Sequence, residues 1–309
     1  MQTRPVAVDS PYAALLGAVP VRAETVRVLG SDTRFWDYGA PDAAVTIIAV
    51  HGYRGEHHGL EPVIAHLAGL RVIGPDLPGF GESTPMTEAD HSVAGYGAWL
   101  RGFVAALGLP RHPVILGHSF GSIVVSHAIA DGLDAPRLIL LNPIAAPALK
   151  GPQAVMTWLT MLWYRIGRFL PERAGTAWLG NPAIVRFMSV MLAQSKDRRL
   201  RRWIHDQHAT YFSRYSDRDT VVAGFKASIG SDVSEVAGSL TMPTLLVGAS
   251  NDPITTVAAY ERLHELIPGS DLVILPGVGH LIHYEKPREA AGEIVRFLGV
   301  GQVVGDELT

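Results

Sequence analysis

Residues 114–125 read Val114-Ile115-Leu116-Gly117-His118-Ser119-Phe120-Gly121-Ser122-Ile123-Val124-Val125: a β-branched apolar run, then G-x-S-x-G, then an apolar stretch suited to a buried helix. A buried strand that turns sharply and enters a helix is the context of a nucleophile elbow. Gly117 and Gly121 leave room for the turn that lifts Ser119 above the end of a sheet. The first amides of the following helix then point at the same spot. The motif alone recurs by chance in a chain with 32 glycines, so its weight comes from the strand and helix that flank it.

Working outward, apolar runs recur at 45–50, 71–73, 113–116, 137–141, 244–247 and 272–275, with helix-like segments at 60–67, 93–107, 120–130, 257–266 and 288–298. This alternation predicts a parallel sheet covered by helices. The runs are apolar throughout, as strands buried on both faces should be. Segments 24–29 and 33–38 alternate better and are separated by Gly30-Ser31-Asp32, which predicts an antiparallel hairpin at one sheet edge. The expectation is an α/β fold with an eight-stranded, mostly parallel sheet and helices on both faces.

About a hundred residues separate the strand near Asn142 from the one at Thr244. That is far too long for a crossover, so it predicts a folded insertion. Its pattern is helical at 154–170, 182–195, 198–213 and 220–229. The expected organisation is a core domain of residues 1–143 and 231–309, interrupted by a helical cap at 144–230.

Composition narrows the function. The chain has 309 residues, 48% hydrophobic and 18% charged, with no cysteine, which excludes a disordered tail, a disulfide scaffold and a thiolate metal site. A net charge of -3 gives no argument for a nucleic-acid partner, whose phosphates would call for a basic face. The total hides an asymmetry: residues 144–230 hold thirteen Lys and Arg against five Asp and Glu, leaving -11 for the rest. The same span carries four of six Trp and four of seven Met. The 13–19 apolar run is too short and badly flanked for a secretory signal, so the expected location is cytoplasmic. The uncharged stretch 151–164 falls short of the roughly 20 residues of a spanning helix; it can lie on a membrane but cannot cross one. Peripheral membrane contact through the cap is therefore an expectation, and oligomeric state is left open.

A serine hydroxyl needs a base, an orienting acid and an oxyanion hole to act as a nucleophile. His280 follows the last strand in Gly277-Val278-Gly279-His280, and Asp252 follows the preceding strand in Ser250-Asn251-Asp252-Pro253. The order Ser, Asp, His suits this elbow. The strand before the insertion ends on Asn142, which carries no acid. Asp271 precedes its strand and would sit at the wrong edge. His283 is a rival base but begins a more buried stretch. For the oxyanion hole, the strand ending in His51-Gly52-Tyr53-Arg54-Gly55 offers the Tyr53 amide, to pair with that of Phe120.

With these segments in view, the chain resembles the α/β-hydrolase-fold superfamily of serine hydrolases with an inserted helical cap. The likeness covers nearly everything after Thr25 and rests on HGYRG at His51, GPDLPGFGES at Gly74, GHSFG at Gly117, SNDP at Ser250 and GVGHLIHYEKP at Gly277. It implies Ser119 as nucleophile, His280 as base, Asp252 as orienter, Tyr53 and Phe120 as amide donors, and no cofactor or metal. Relatives that open epoxides or remove halogens place Asp at the nucleophile, where this chain has Ser119. Ser122 stands where many members carry a further glycine, and the sequence assigns it only a packing role.

The reaction implied is hydrolysis of a carboxylic ester, with a small-molecule lipophilic or aromatic ester as substrate. Carbon-carbon cleavage of a ring-cleavage diketone, or slow turnover in a ligand-binding member of the fold, are the alternatives. Expected substrate contacts are His51, His118, Trp158, Met161, Trp163 and Met188, with hydrogen-bonded core roles as the competing reading for the two histidines. His57 and His58 read as solvent-exposed loop residues, and His205 and His208 as a polar helix face.

Overall fold

The computed structural model describes residues 8–147 and 154–300. Eight strands form one sheet: β1 Val21–Val28, β2 Ser31–Tyr38, β3 Thr46–Val50, β4 Arg71–Pro75, β5 Val114–His118, β6 Leu138–Leu141, β7 Thr244–Ala249 and β8 Ser270–Leu275. Their spatial order is β1-β2-β4-β3-β5-β6-β7-β8. Pairings β1/β2 and β2/β4 are antiparallel, and all others are parallel.

In the central strands side chains alternate between two buried faces, which is why those strands are apolar through most of their length. Ile47, Ala49, Ile139, Leu141, Leu245 and Val247 join one core cluster. Their neighbours Ile48, Val50, Leu138, Leu140 and Leu246 join the other. Both faces are thus buried, as parallel sheets require. The edge hairpin turns one residue earlier than its composition suggests. Val28 pairs with Ser31, so the loop is Leu29-Gly30, both at positive φ as a type I′ turn demands.

The helices of the sheet layer are α1 Ala13–Gly17, α2 Glu61–Ile64, α3 Val93–Ala106 and α4 Phe120–Ala130. The predicted 60–67 helix is broken into a 3-10 turn at His57–Gly59 and the single turn of α2, because Pro62 can only open a helix. Between β6 and β7 lie α5 Ala154–Phe169, α6 Glu172–Leu179, α7 Pro182–Leu192, α8 Arg198–Tyr211 and α9 Arg218–Gly230. Sequence patterning missed α6, a helix of eight residues that buries only Gly175 and Leu179. Starts are set by side-chain caps: Asn181, Asp197 and Asp217 accept the first amides of α7, α8 and α9. Helices α10 Val257–Leu266, α11 Ile282–Glu285 and α12 Pro287–Leu298 complete the fold. Among the described residues no helix is long and apolar enough to cross a membrane.

Candidate active site

The turn from β5 into α4 is tight enough to exclude any side chain at its glycines. A Cβ on Gly117 would lie 2.6 Å from the Gly121 carbonyl oxygen, and one on Gly121 would lie 2.2 Å from that of Val50. Ser119 absorbs the strain at φ 53°, ψ -119°, a region L-residues avoid. Its amide is tied to the Leu141 carbonyl at 3.0 Å.

Ser122 does more than pack. Its hydroxyl donates to the Ser119 carbonyl at 2.5 Å and accepts the Ile144 amide at 3.1 Å, joining the elbow to the chain leaving β6.

Loops after β7 and β8 deliver the partners of Ser119. His280 Nε2 lies 2.8 Å from Ser119 Oγ, and His280 Nδ1 lies 2.9 Å from Asp252 Oδ2. Asp252 Oδ2 also accepts Tyr260 Oη at 2.6 Å and Asn142 Nδ2 at 3.0 Å, while Oδ1 accepts the Ile254 amide at 2.7 Å. Burial alone would push this carboxyl up. The His280 ring and the hydrogen bonds from His280, Tyr260 and Ile254 outweigh burial and bring it down to about 2. An ionised carboxylate only accepts, so Nδ1 carries the imidazole proton and Nε2 is left to receive the Ser119 hydroxyl. Asn142, which supplies no acid, is a donor to the acid instead.

Phe120 opens α4, so its amide has no intrahelical acceptor. Among the described residues no acceptor meets the amide of Phe120 or Tyr53. Both residues flank the serine, and Gly52 keeps the β3 loop close: a Cβ there would lie 3.1 Å from Ser119 Cβ.

A cavity of about 90 Å³ opens at Ser119, lined by Gly52, Tyr53, His118 and His283 from the sheet layer. Leu192, His208, Tyr211 and Phe212 line it from the insertion. Of the expected contacts, His118 is on this wall as a neutral ring, brought down to about 3 by burial and by His280. His51 also borders the cavity, but both its ring nitrogens are engaged. Nε2 accepts the Leu77 amide at 2.9 Å and Nδ1 donates to the Gly52 carbonyl at 2.8 Å, a core role. Trp158 and Met161 line a separate groove on α5, and the two linings share no residue. Trp163 is packed against the core, and neither it nor Met188 borders the Ser119 cavity.

Four histidines depart from their expected settings. His57 is buried, bonded to Asp76 Oδ1 at 2.9 Å and stacked on Trp36. His58 is bonded to buried Glu56 and stacked on Tyr211. Glu56, His57 and His58 bring potential metal-ligating atoms within 4.8 Å of one another, but Asp76 and Glu56 already occupy both Nδ1 atoms. His205 and His208 are also buried, both on Ser189 Oγ, at 2.6 and 2.7 Å. Beyond them, His283 packs 4.1 Å from His118, ring to ring. Burial first, and His118, His208 and His280 next, hold it well below the usual histidine range.

Arg54 is the residue that sequence reasoning passed over. It is 1% exposed, yet among the described residues its nearest electrostatic partners are tyrosines rather than a carboxylate. Its guanidinium donates to the carbonyls of Phe212 at 3.0 Å and Leu179 at 3.1 Å, to Ser213 Oγ and to Tyr164 Oη. It thereby fastens three helices of the insertion to the β3 loop. Its position directly after the Tyr53 amide was the available signal.

Sheet order, elbow and the Ser-His-Asp line define a hydrolase of the α/β type. The chain belongs to the alpha/beta hydrolase family, whose sequence profile matches residues 47–293. It is 27% identical over 246 residues to a Klebsiella pneumoniae (strain 342) protein named only provisionally as the carbamate hydrolase RutD, covering 78% of this chain and 85% of that one. It is 25% identical to Epoxide hydrolase A of Mycobacterium tuberculosis, covering 87% of this chain and 94% of the relative. Among solved structures, the esterase EaEST from Exiguobacterium antarcticum superposes with a TM-score of 0.73 at 16% identity, over 90% of this chain and all of that one.

Proposed function

We propose that the protein is a serine hydrolase that cleaves a carboxylic ester, with Ser119 as nucleophile, His280 as general base and Asp252 as orienter. The observation that carries this reading is the unbroken hydrogen-bond line from Ser119 Oγ through His280 to Asp252, at 2.8 and 2.9 Å. As Ser119 Oγ bonds to the ester carbonyl carbon, its proton passes to His280 Nε2. The ionised Asp252 stabilises the imidazolium that forms. The amides of Tyr53 and Phe120 receive the oxyanion, each worth roughly 3 kcal/mol in the transition state. Collapse expels the alcohol, which takes the proton from His280. Water gives a proton to the same ring as it bonds to the acyl carbon; Ser119 Oγ then leaves, takes that proton back from His280, and the acid is released.

The insertion at 144–230 acts as the cap of this site. Leu192 and Phe212 give the cavity apolar walls that suit the lipophilic part of an ester. A fluorophosphonate probe should label Ser119, and Ser119→Ala should abolish both labelling and ester turnover while keeping the fold. Folded protein that resists several such probes would overturn the serine mechanism. A strong preference for a ring-cleavage diketone over a p-nitrophenyl ester series would replace ester cleavage by carbon-carbon cleavage on the same residues.

A further inference from the structure

Among the described residues fourteen large apolar side chains are exposed, and ten of them lie between positions 158 and 191. Apolar surface concentrated in this way marks an interaction face. On α5, Trp158, Leu162 and Phe169 line a groove of about 380 Å³ whose other wall is α9. Trp158 is 58% exposed and Phe169 75%, so neither is part of a core. Arg165, Arg168 and Lys226 line the same groove, and no acidic side chain is among its described lining residues. Among the described residues none of these three cations has an ion-pair partner, although surface charges elsewhere on the insertion do, as in Arg218 with Asp219. Arg165 instead lies over the Phe169 ring at 5.9 Å.

Exposed aromatic and aliphatic side chains interleaved with unpaired cations suit a boundary between hydrocarbon and phosphate: the apolar groups enter the acyl layer while the cations meet headgroups. We propose that the face formed by α5 and α9 docks the protein onto a bilayer containing anionic phospholipid. A second copy of the chain fits this face poorly, because a two-fold contact would set the same three cations against themselves. Charge supports the choice, since the insertion carries thirteen basic residues against five acidic ones. Docking would also bring lipid close to the serine. Tyr164 lines the groove, Tyr53 lines the Ser119 cavity, and their hydroxyls are 2.9 Å apart.

Co-sedimentation of the full chain with vesicles tests this independently of any catalytic reading. The protein should bind vesicles of phosphatidylcholine containing one quarter phosphatidylglycerol at low salt, and should not bind phosphatidylcholine alone. Arg165→Gln with Arg168→Gln should weaken binding roughly 30-fold, or about 2 kcal/mol at about 1 kcal/mol per cation. Leu162→Ser with Phe169→Ser should weaken it about tenfold or more. Both double variants should keep the wild-type rate on a soluble ester, because none of the four residues borders the Ser119 cavity. Failure to bind anionic vesicles at low salt would overturn the proposal, as would equal binding to neutral vesicles or unimpaired binding by the variants. A dimer in sedimentation equilibrium that Phe169→Ser dissociates, without vesicle binding, would assign the face to self-association instead.

Discussion

Ser122 holds the carbonyl of Ser119, the residue three positions before it, at 2.5 Å, and receives the Ile144 amide in return. The hydroxyl therefore fixes the strained elbow from behind. Ser122→Ala should cost about 1–3 kcal/mol of stability, because the buried Ile144 amide is left without an acceptor. Urea unfolding measures this. The kcat for an ester should fall several-fold while Ser119 remains reactive toward the fluorophosphonate.

Asp252 and His280 test the charge logic of the line. Asp252→Asn removes the charge that favours the imidazolium and the proton on Nδ1, so kcat should fall about 10⁴-fold. KM should change little, since Asp252 does not border the cavity at Ser119. A loss of less than tenfold would show that Asp252 is not the orienter.

The buried histidines make stability depend on pH in a range where Asp252 does not act. His118 and His208 are held down to about 3 and about 4, by burial first and then by His280 and His205. In the unfolded chain each takes up a proton near pH 6.5. Below that pH the unfolded state binds more protons, and each ring costs about 1.4 kcal/mol of stability per pH unit until its folded pKa is reached. Asp252 has its folded pKa below its unfolded one, so its contribution is intact above about pH 4 and is lost only as pH falls toward 2. Denaturant midpoints should therefore drop steadily between about pH 6.5 and about 4. His208→Gln, which can still meet Ser189, should make that slope shallower.

Arg54 is expected to govern how firmly the insertion sits on the sheet layer. Arg54→Lys keeps the charge but loses the fork that reaches Phe212, Leu179, Ser213 and Tyr164. With hydrogen bonds from charged groups worth about 1.5–3 kcal/mol each, the loss should be about 3 kcal/mol or more. Hydrogen exchange should rise first in α6 and α8, and less in β5 and β6. Uniform exchange across the chain would argue that Arg54 supports the global fold rather than the insertion.

Ser119, Asp252 and His280 were legible because each follows a strand at a fixed place in the chain order, and a sheet of known hand then brings those places together. The strands were legible for a similar reason: burial on both faces makes β3, β5, β6 and β7 apolar through most of their length. His57, His205 and His208 were not, since a histidine in a polar neighbourhood reads as solvated until its partner is known. Asp76 and Ser189 are 19 residues or fewer away, but nothing in their spacing marks them as acceptors. Trp158 and Met161 failed differently. An apolar composition tells that α5 has a greasy surface, not whether that surface faces the serine or the outside.

Backbone strain at Ser119 yields the last prediction. Ser119 sits at φ 53°, where any Cβ is unfavourable and glycine is not. Ser119→Ala and Ser119→Gly both lack the hydroxyl, so both should be inactive and both should fail to react with the probe. They differ only at the Cβ. If the elbow is strained, the glycine variant should be the more stable of the two by about 1 kcal/mol, even after its greater loss of chain entropy on folding is included. In a helix or strand interior the order would be reversed, so finding alanine the more stable would mean that the turn carries no strain at position 119.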